Sequence, residues 1–227
     1  METLYTIPVN MAFEACAESE EIACPFCKLY RELEENELGY ILGASMMESD
    51  VRIRVNDLGF CPKHYELMLA RRNRLPFALM MESHLKEIDD KSRRGSFVEK
   101  DLPKLEKSCY ICARIDEKFP RMLETAAILW TRDPAFKKKL AAQKMICLPH
   151  YRGYLAAGKY IVGRRRNFAD FKTDVDAVFR PYFESLSADI SWFCKKFDYR
   201  YDDEPWGTAK DSPERVVKFL CGNLHEE

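Results

Sequence analysis

Cys24-Pro-Phe-Cys27, Cys61-Pro-Lys-His64, Cys109-Tyr-Ile-Cys112 and Cys147-Leu-Pro-His150 repeat one order twice: Cys-x-x-Cys, a spacer, then Cys-x-x-His. The spacer between the inner cysteines holds 33 residues in the first copy and 34 in the second. Each copy carries three thiols and an imidazole, a complete tetrahedral zinc set, so the sequence predicts two zinc ions on Cys24, Cys27, Cys61, His64, Cys109, Cys112, Cys147 and His150. A two-residue gap at a helix start points both side chains to one place. The unpaired amides and dipole there lower thiol pKa values toward the thiolate that zinc needs.

Other readings of these eight residues fit less well. Buried free cysteines are common in cores, but six of the nine cysteines and two of the four histidines fall in the duplicated register. A thioredoxin-like redox pair wants a βαβ setting, which is missing, whereas an iron-sulfur cluster shares the thiolate chemistry and stays as the alternative cofactor. Four protein ligands leave no open coordination position, which argues against a catalytic metal. His64-Tyr65-Glu66 imitates the His-x-Glu of nucleotide deaminases, yet follows its cysteine pair's partner motif in the wrong order, and the second copy has Arg152 in place of the glutamate. Sequential pairing is the expected arrangement, with Cys24, Cys27, Cys61 and His64 on one ion and Cys109, Cys112, Cys147 and His150 on the other, because a duplicated unit should be complete before it is copied. A cross-brace of one four-cysteine site and one two-cysteine, two-histidine site is the alternative.

The 227 residues, 47% apolar and 32% charged, suit an ordinary globular chain that buries about 70% of its extended surface. The formal charge is −1, moving to about −3 with six thiolates and two divalent ions counted, and neither value gives the basic field of a general nucleic-acid binder. The first fifteen residues carry Glu2 and no cationic run, and no apolar stretch approaches the roughly 18 residues of a spanning helix. A cytoplasmic location without membrane contact is expected; thiols stay reduced there, which favours metal ligation over disulfides.

The periodicity predicts an all-α fold of two helical repeat units, each organised by a Cys3His site, with a long C-terminal helix and an aromatic strap. The expected units are residues 1–96 and 97–227, joined near Gly95 and packed as one globule. A helix follows each Cys-x-x-Cys: Leu29, Tyr30, Leu33, Leu38, Ile41 and Leu42 recur at helical spacing, as do Ile115, Phe119, Met122, Leu123 and Ala126, with Pro120 as a kink. Asp50 to Asn56 alternates like a strand, but the equivalent stretch from Asp133 reads as helix, so Ser49 to Asp57 is taken as a short helix. Helices are also expected from His64 to about Arg72, from Pro76 to Ser92 with Phe77, Met80, Met81 and Leu85 on the core face, and from His150 to Ala157, before a turn at Gly158 to Gly163. Asn167 to Phe197 should form the long helix, burying Phe168, Phe171, Val175, Val178, Phe179, Tyr182, Phe183, Leu186, Ile190 and Phe193. Tyr199 to Trp206 then straps the bundle, and a last helix begins at Ser212-Pro213.

Tyr5-Thr-Ile-Pro-Val-Asn10, Ser45-Met-Met-Glu-Ser-Asp-Val-Arg-Ile53, Gly59-Phe-Cys61 and the tail from Trp192 through Tyr199-Arg-Tyr-Asp-Asp-Glu-Pro-Trp-Gly207 resemble a bacterial family of the Clostridia-like Firmicutes, the domain of unknown function 6062. The resemblance covers nearly the whole chain and implies no activity.

The remaining functional candidates are basic clusters: Arg71, Arg72 and Arg74; Lys91, Arg93 and Arg94; Lys137 to Lys139; Arg164 to Arg166. Most read as solvated helix ends. Arg164 to Arg166 opens a helix, where cations are unfavourable, and is the better phosphate contact. Cys16, Cys194 and Cys221 read as core or tail thiols, Cys16 being able to compete for the first ion, while His84 reads as helix surface and His225 as frayed terminus. The aromatic tail around Trp206 is a second candidate surface. The expected function is a non-enzymatic, zinc-binding interaction protein whose unknown partner is a protein rather than nucleic acid. The alternatives are a nucleic-acid module using Arg164 to Arg166 and a thiol–zinc redox or metal sensor.

Overall fold

Proline and cysteine set where most of the helices begin. The computed structural model describes residues 4–94, 97–163 and 167–222, and among them are eleven α-helices and no β-strand. They are α1 Thr6–Glu18, α2 Pro25–Ile41, α3 Ser49–Leu58, α4 Pro62–Leu69, α5 Leu75–Ser92, α6 Leu102–Leu105, α7 Tyr110–Arg132, α8 Pro134–Ala141, α9 Leu148–Val162, α10 Asn167–Lys195 and α11 Ser212–Cys221. Proline occupies the first or second position of α4, α5, α6, α8, α9 and α11, where its missing N–H costs no helical bond. The Gly95 join, Arg164 to Arg166 and His225 lie outside the described residues.

The alternating stretch at Asp50 is helical, as the second copy implied. Val51 and Val55, one turn apart, are buried, while Ile53 between them is 62% exposed. Three expectations need correction. Helix α9 does not break at Gly158; it continues through Tyr160 to Val162, because the missing side chain at Gly158 admits the Phe171 ring instead of making a turn. On α5 the inward face is rotated: His84 is buried one turn after Met80, and Leu85 faces solvent. On α10 Phe183 is 41% exposed, its ring lying over Phe179 and Phe219 rather than beneath them.

Two compact units share the chain: Met1–Arg31 with Pro120–Glu227, and Glu32–Phe119. Both divisions fall inside helices, α2 and α7. In the first unit a run of rings forms the core: Phe13 meets Phe26 at 5.3 Å, Phe26 meets Tyr154 at 4.8 Å, Tyr154 meets Phe171 at 4.9 Å, and Phe171 meets Trp130 at 5.1 Å. These contacts join α1, α2, α9, α10 and α7, and edge-to-face pairs of this kind add to area burial. The strap is packed as expected. The buried Lys196 ammonium donates to the carbonyls of Tyr201, Asp202 and Glu204, satisfying all three of its N–H groups, and Trp192 Nε1 donates to Pro205 O at 3.1 Å.

In the second unit α3 packs against α5 and α6 over Val51, Val55, Met80 and Phe97. Gly59 ends α3 in the left-handed region at φ 56°, and a Cβ there would lie 3.2 Å from His84 Nε2 and from Leu105 Cδ1. Burial keeps the His84 imidazole below its usual range, against a hydrogen bond it donates to the Asn56 backbone.

The glycines give a paired test. A Cβ at Gly158 would sit 2.0 Å from Phe171 Cε1, whereas one at Gly39 meets nothing within 4 Å. Gly158→Ala is expected to cost about 1–3 kcal/mol by overpacking, and Gly39→Ala to add about 0.5–1 kcal/mol by helix propensity. Unfolding midpoints check both, and a Gly158→Ala protein as stable as the parent contradicts this packing.

Candidate metal centres

All four ligand pairs occupy the same place on a helix. Cys24, Cys61, Cys109 and Cys147 each immediately precede the first helical residue, and each one's carbonyl accepts the first intrahelical bond: from Lys28, Tyr65, Ala113 and Tyr151 at 3.2, 3.0, 3.0 and 2.8 Å. The first cysteine is therefore the N-cap and the second ligand is the third helical residue. That is the spacing of a capping box, in which both side chains converge ahead of the helix where its amides lack partners. The Cys112 N–H donates to Cys109 Sγ at 3.5 Å in this way.

The eight donors gather into two quartets, each with all donor atoms within 4.8 Å of one another. The outer quartet is Cys24, Cys27, Cys147 and His150; the inner quartet is Cys61, His64, Cys109 and Cys112. This corrects the expected pairing. Neither sequential sites nor a four-cysteine cross-brace forms; each copy's Cys-x-x-Cys meets the other copy's Cys-x-x-His. Hydrogen bonds hold this pairing. Tyr110 N–H donates to Gly59 O at 2.9 Å and Ser108 Oγ to Leu58 O at 2.8 Å, holding the approach to Cys61 against the approach to Cys109. At the outer quartet the buried Gln143 donates to Phe13 O at 2.8 Å and Lys144 donates to Ser19 O, holding the approach to Cys147 against the end of α1.

In the outer quartet His150 Nδ1 lies 3.7, 3.4 and 3.2 Å from the sulfurs of Cys24, Cys27 and Cys147, and Cys27 and Cys147 Sγ are 3.6 Å apart. In the inner quartet His64 Nδ1 lies 3.1, 3.2 and 3.5 Å from Cys61, Cys109 and Cys112, with Cys61 and Cys112 Sγ 3.9 Å apart. Tetrahedral zinc–ligand bonds imply edges of about 3.8 Å between sulfurs and about 3.6 Å between sulfur and nitrogen, so the residues present fit such an ion. The outer quartet is wholly buried. The inner one leaves Cys61 and Cys112 partly exposed.

Without a cation the sulfurs cannot all be anionic. A hydrogen bond from Cys112 and another from His64 outweigh burial and hold the Cys109 thiol down at about 3. Burial pulls His64 down, but its bonds to Cys109 and Glu34 outweigh that and raise it to about 10. Cys112 is pushed up by its bond to Cys109 and by burial, and Cys147 by bonds to Cys24 and Cys27 and by burial. A metal ion must displace the protons these groups retain.

Sequence reasoning missed Glu34. His64 Nε2 donates to Glu34 Oε1 at 3.1 Å, and Lys63 Nζ lies 2.7 Å from the same oxygen. Burial works against the Glu34 carboxylate, yet the bonds from His64 and Lys63 keep it below its usual range. This carboxylate turns Nδ1 toward the sulfurs. Nothing in the spacing marks it, since Glu34 lies on α2 and its partner begins α4. Of the other cysteines, Cys16 is buried on α1 outside both quartets, and Cys194 and Cys221 are exposed. Five of the nine cations in the described basic clusters are met by an acid or a ring: Arg71 by Glu35 at 2.5 Å, Lys91 by Asp57 at 2.9 Å, Arg93 by Asp89 at 2.6 Å, Lys139 by Glu14 at 2.5 Å and Lys137 by the Trp130 ring at 4.0 Å.

The family model described as "Family of unknown function (DUF6062)" matches residues 1–227, and the chain belongs to that family. Neither a curated protein nor a solved structure matches it.

Removing the Glu34 carboxylate should act on the inner quartet alone. Glu34→Gln is expected to weaken one of two metal equivalents about 10–100-fold and leave the other unchanged, read by titration with a chromogenic chelator. Equal weakening of both equivalents, or of neither, contradicts the assigned role.

Proposed function

We propose that this member of the family binds two zinc ions, one in each Cys3His quartet, as structural centres of a non-enzymatic helical protein that works through its surface. The observation that carries the proposal is the gathering of eight donors into two quartets with edges of tetrahedral size. In an iron-sulfur cluster, sulfurs bound to different irons stand roughly 6 Å apart. The compactness of each quartet, with all donors within 4.8 Å, supports a single ion instead. Four protein ligands close the coordination shell, which favours structure over catalysis. A structural zinc contributes roughly 10–16 kcal/mol in small peptides at neutral pH, comparable to the whole net stability of a domain.

No described helix is long and apolar enough to cross a membrane. The formal charge of −1 and the acids held by Arg71, Lys91, Arg93 and Lys139 weigh against a phosphate-binding face, and so favour a protein partner over nucleic acid. The thiolate quartets suit a reducing compartment such as the cytoplasm.

The partial exposure of the inner quartet favours a second reading, redox sensing. Hydrogen peroxide would take two electrons from Cys61 and Cys112, joining their sulfurs in a disulfide. The peroxide leaves as two waters after taking up two protons, and the inner ion is freed. A low excess of peroxide should then release one equivalent and spare the outer quartet. Release of both together, or of neither, ends that reading.

Protein purified without oxygen should contain two zinc per chain and show no visible absorption; iron with absorption near 400 nm contradicts the proposal. Because raised thiols at Cys112 and Cys147 and the His64 imidazolium must lose protons on loading, zinc affinity should rise with pH between about 6 and 8. Calorimetry in buffers of different ionisation enthalpy measures the protons released, and a pH-independent affinity contradicts the protonation states given above.

A further inference from the structure

Beyond the quartets, the strap carries the most exposed aromatic side chain among the described residues: Tyr199 is 84% exposed, and Phe197 nearby is 76% exposed. Phe197 belongs to a corner of three rings, 5.4 Å from Phe193 and 6.5 Å from Trp206 at an interplanar angle of 84°, with Phe193 and Trp206 5.5 Å apart. Beside the corner stands an acidic turn, Asp202-Asp203-Glu204, all three residues exposed and without an ion pair among the described residues. Its shape is fixed from within, since Lys196 binds the carbonyls of Asp202 and Glu204 and thereby leaves the carboxylates to solvent. The Lys196 ammonium spends its three donors on backbone, so it hydrogen-bonds to no carboxylate here. Arg200 is held by Asp198 at 2.5 Å, so that pair cancels.

Exposed aromatic rings and unpaired carboxylates within the short stretch 197–204 are complementary to a cation, and to a guanidinium above all, which stacks on rings while donating to carboxylates. The rings of the strap already take cations internally: Lys196 Nζ is 5.5 Å from the Trp206 centroid, and Arg200 Cζ is 5.9 Å from the Tyr201 centroid. We propose that the strap, with the corner of Phe193, Phe197 and Trp206, the exposed Tyr199 ring and the carboxylates of Asp202, Asp203 and Glu204, docks an arginine-rich segment of another protein. This rests on the reading of the chain as an interaction protein and names its surface and the chemistry of its partner. Phosphate polymers and anionic membranes are repelled by the same three carboxylates.

The test uses the full metal-loaded chain and a deca-arginine peptide, followed by tryptophan fluorescence and calorimetry. Binding that weakens as salt rises is expected. Phe197→Ser with Tyr199→Ser should lower affinity at least tenfold, and so should Asp202→Asn with Asp203→Asn and Glu204→Gln. All substituted side chains are exposed, so circular dichroism and zinc content should stay as in the parent. No binding, or a change under twofold in either variant, overturns the proposal, as does tighter binding of a single-stranded DNA oligomer. Loss affecting only the acidic variant also overturns it, by reducing the effect to general charge attraction. Zinc content in the same samples separates the outcomes: two equivalents with no peptide binding defeats the docking face and leaves the structural metal reading standing.

Discussion

Two helix N-termini meeting at one Cys3His quartet is the constraint on which the rest of the structure depends. Each quartet places three sulfurs and an imidazole nitrogen at the starts of two helices, α2 with α9 and α4 with α7, where backbone amides lack intrahelical partners. A dication there would neutralise most of the thiolate charge, and the helix dipoles would favour what is left. Without a cation, the neighbouring sulfurs and burial leave Cys112 and Cys147 holding their protons. The same geometry that stabilises the loaded chain therefore leaves the empty one with polar groups it cannot satisfy well.

The crossing of the pairs changes what an ion in each quartet would do for the chain. Cys27 and Cys147 are 120 residues apart, and Cys61 and Cys112 are 51 apart, so the inner closure is nested within the outer one. Two sequential sites would each have closed a stretch of about 40 residues. Longer closures remove more freedom from the unfolded chain, though only logarithmically with length. The larger consequence is organisational: neither half of the sequence repeat holds a complete set of ligands, so neither is a complete metal unit.

Much of this was legible in the sequence, and the reasons for success and failure are physical. The ligand pairs were visible because N-cap and third-residue side chains must converge, which fixes a two-residue gap whatever surrounds it. The helix at Ser49 was legible only through its counterpart at Asp133, since Val51, Ile53 and Val55 alternate as a strand would. Pairing was not legible. Exchanging partners between two equal copies leaves every site with three cysteines and one histidine, so composition and spacing are the same either way. The tie that decides it, Tyr110 N–H to Gly59 O, is a backbone bond between residues of no special type. Gly158 misled for a similar reason: a glycine reads as a turn, and only the Phe171 ring lying against it reveals a packing role. His84 and Glu34 required knowing which helices pack together.

Metal counting in paired cysteine variants tests the crossed arrangement most directly. Cys24→Ser with Cys147→Ser strikes one quartet twice, whereas Cys24→Ser with Cys61→Ser strikes both quartets once. The structure predicts that the first double variant keeps one zinc per chain and the second keeps none tightly bound. The reverse result, one zinc retained by the Cys24→Ser, Cys61→Ser protein and none by the Cys24→Ser, Cys147→Ser protein, would return the ions to sequential sites and contradict the account.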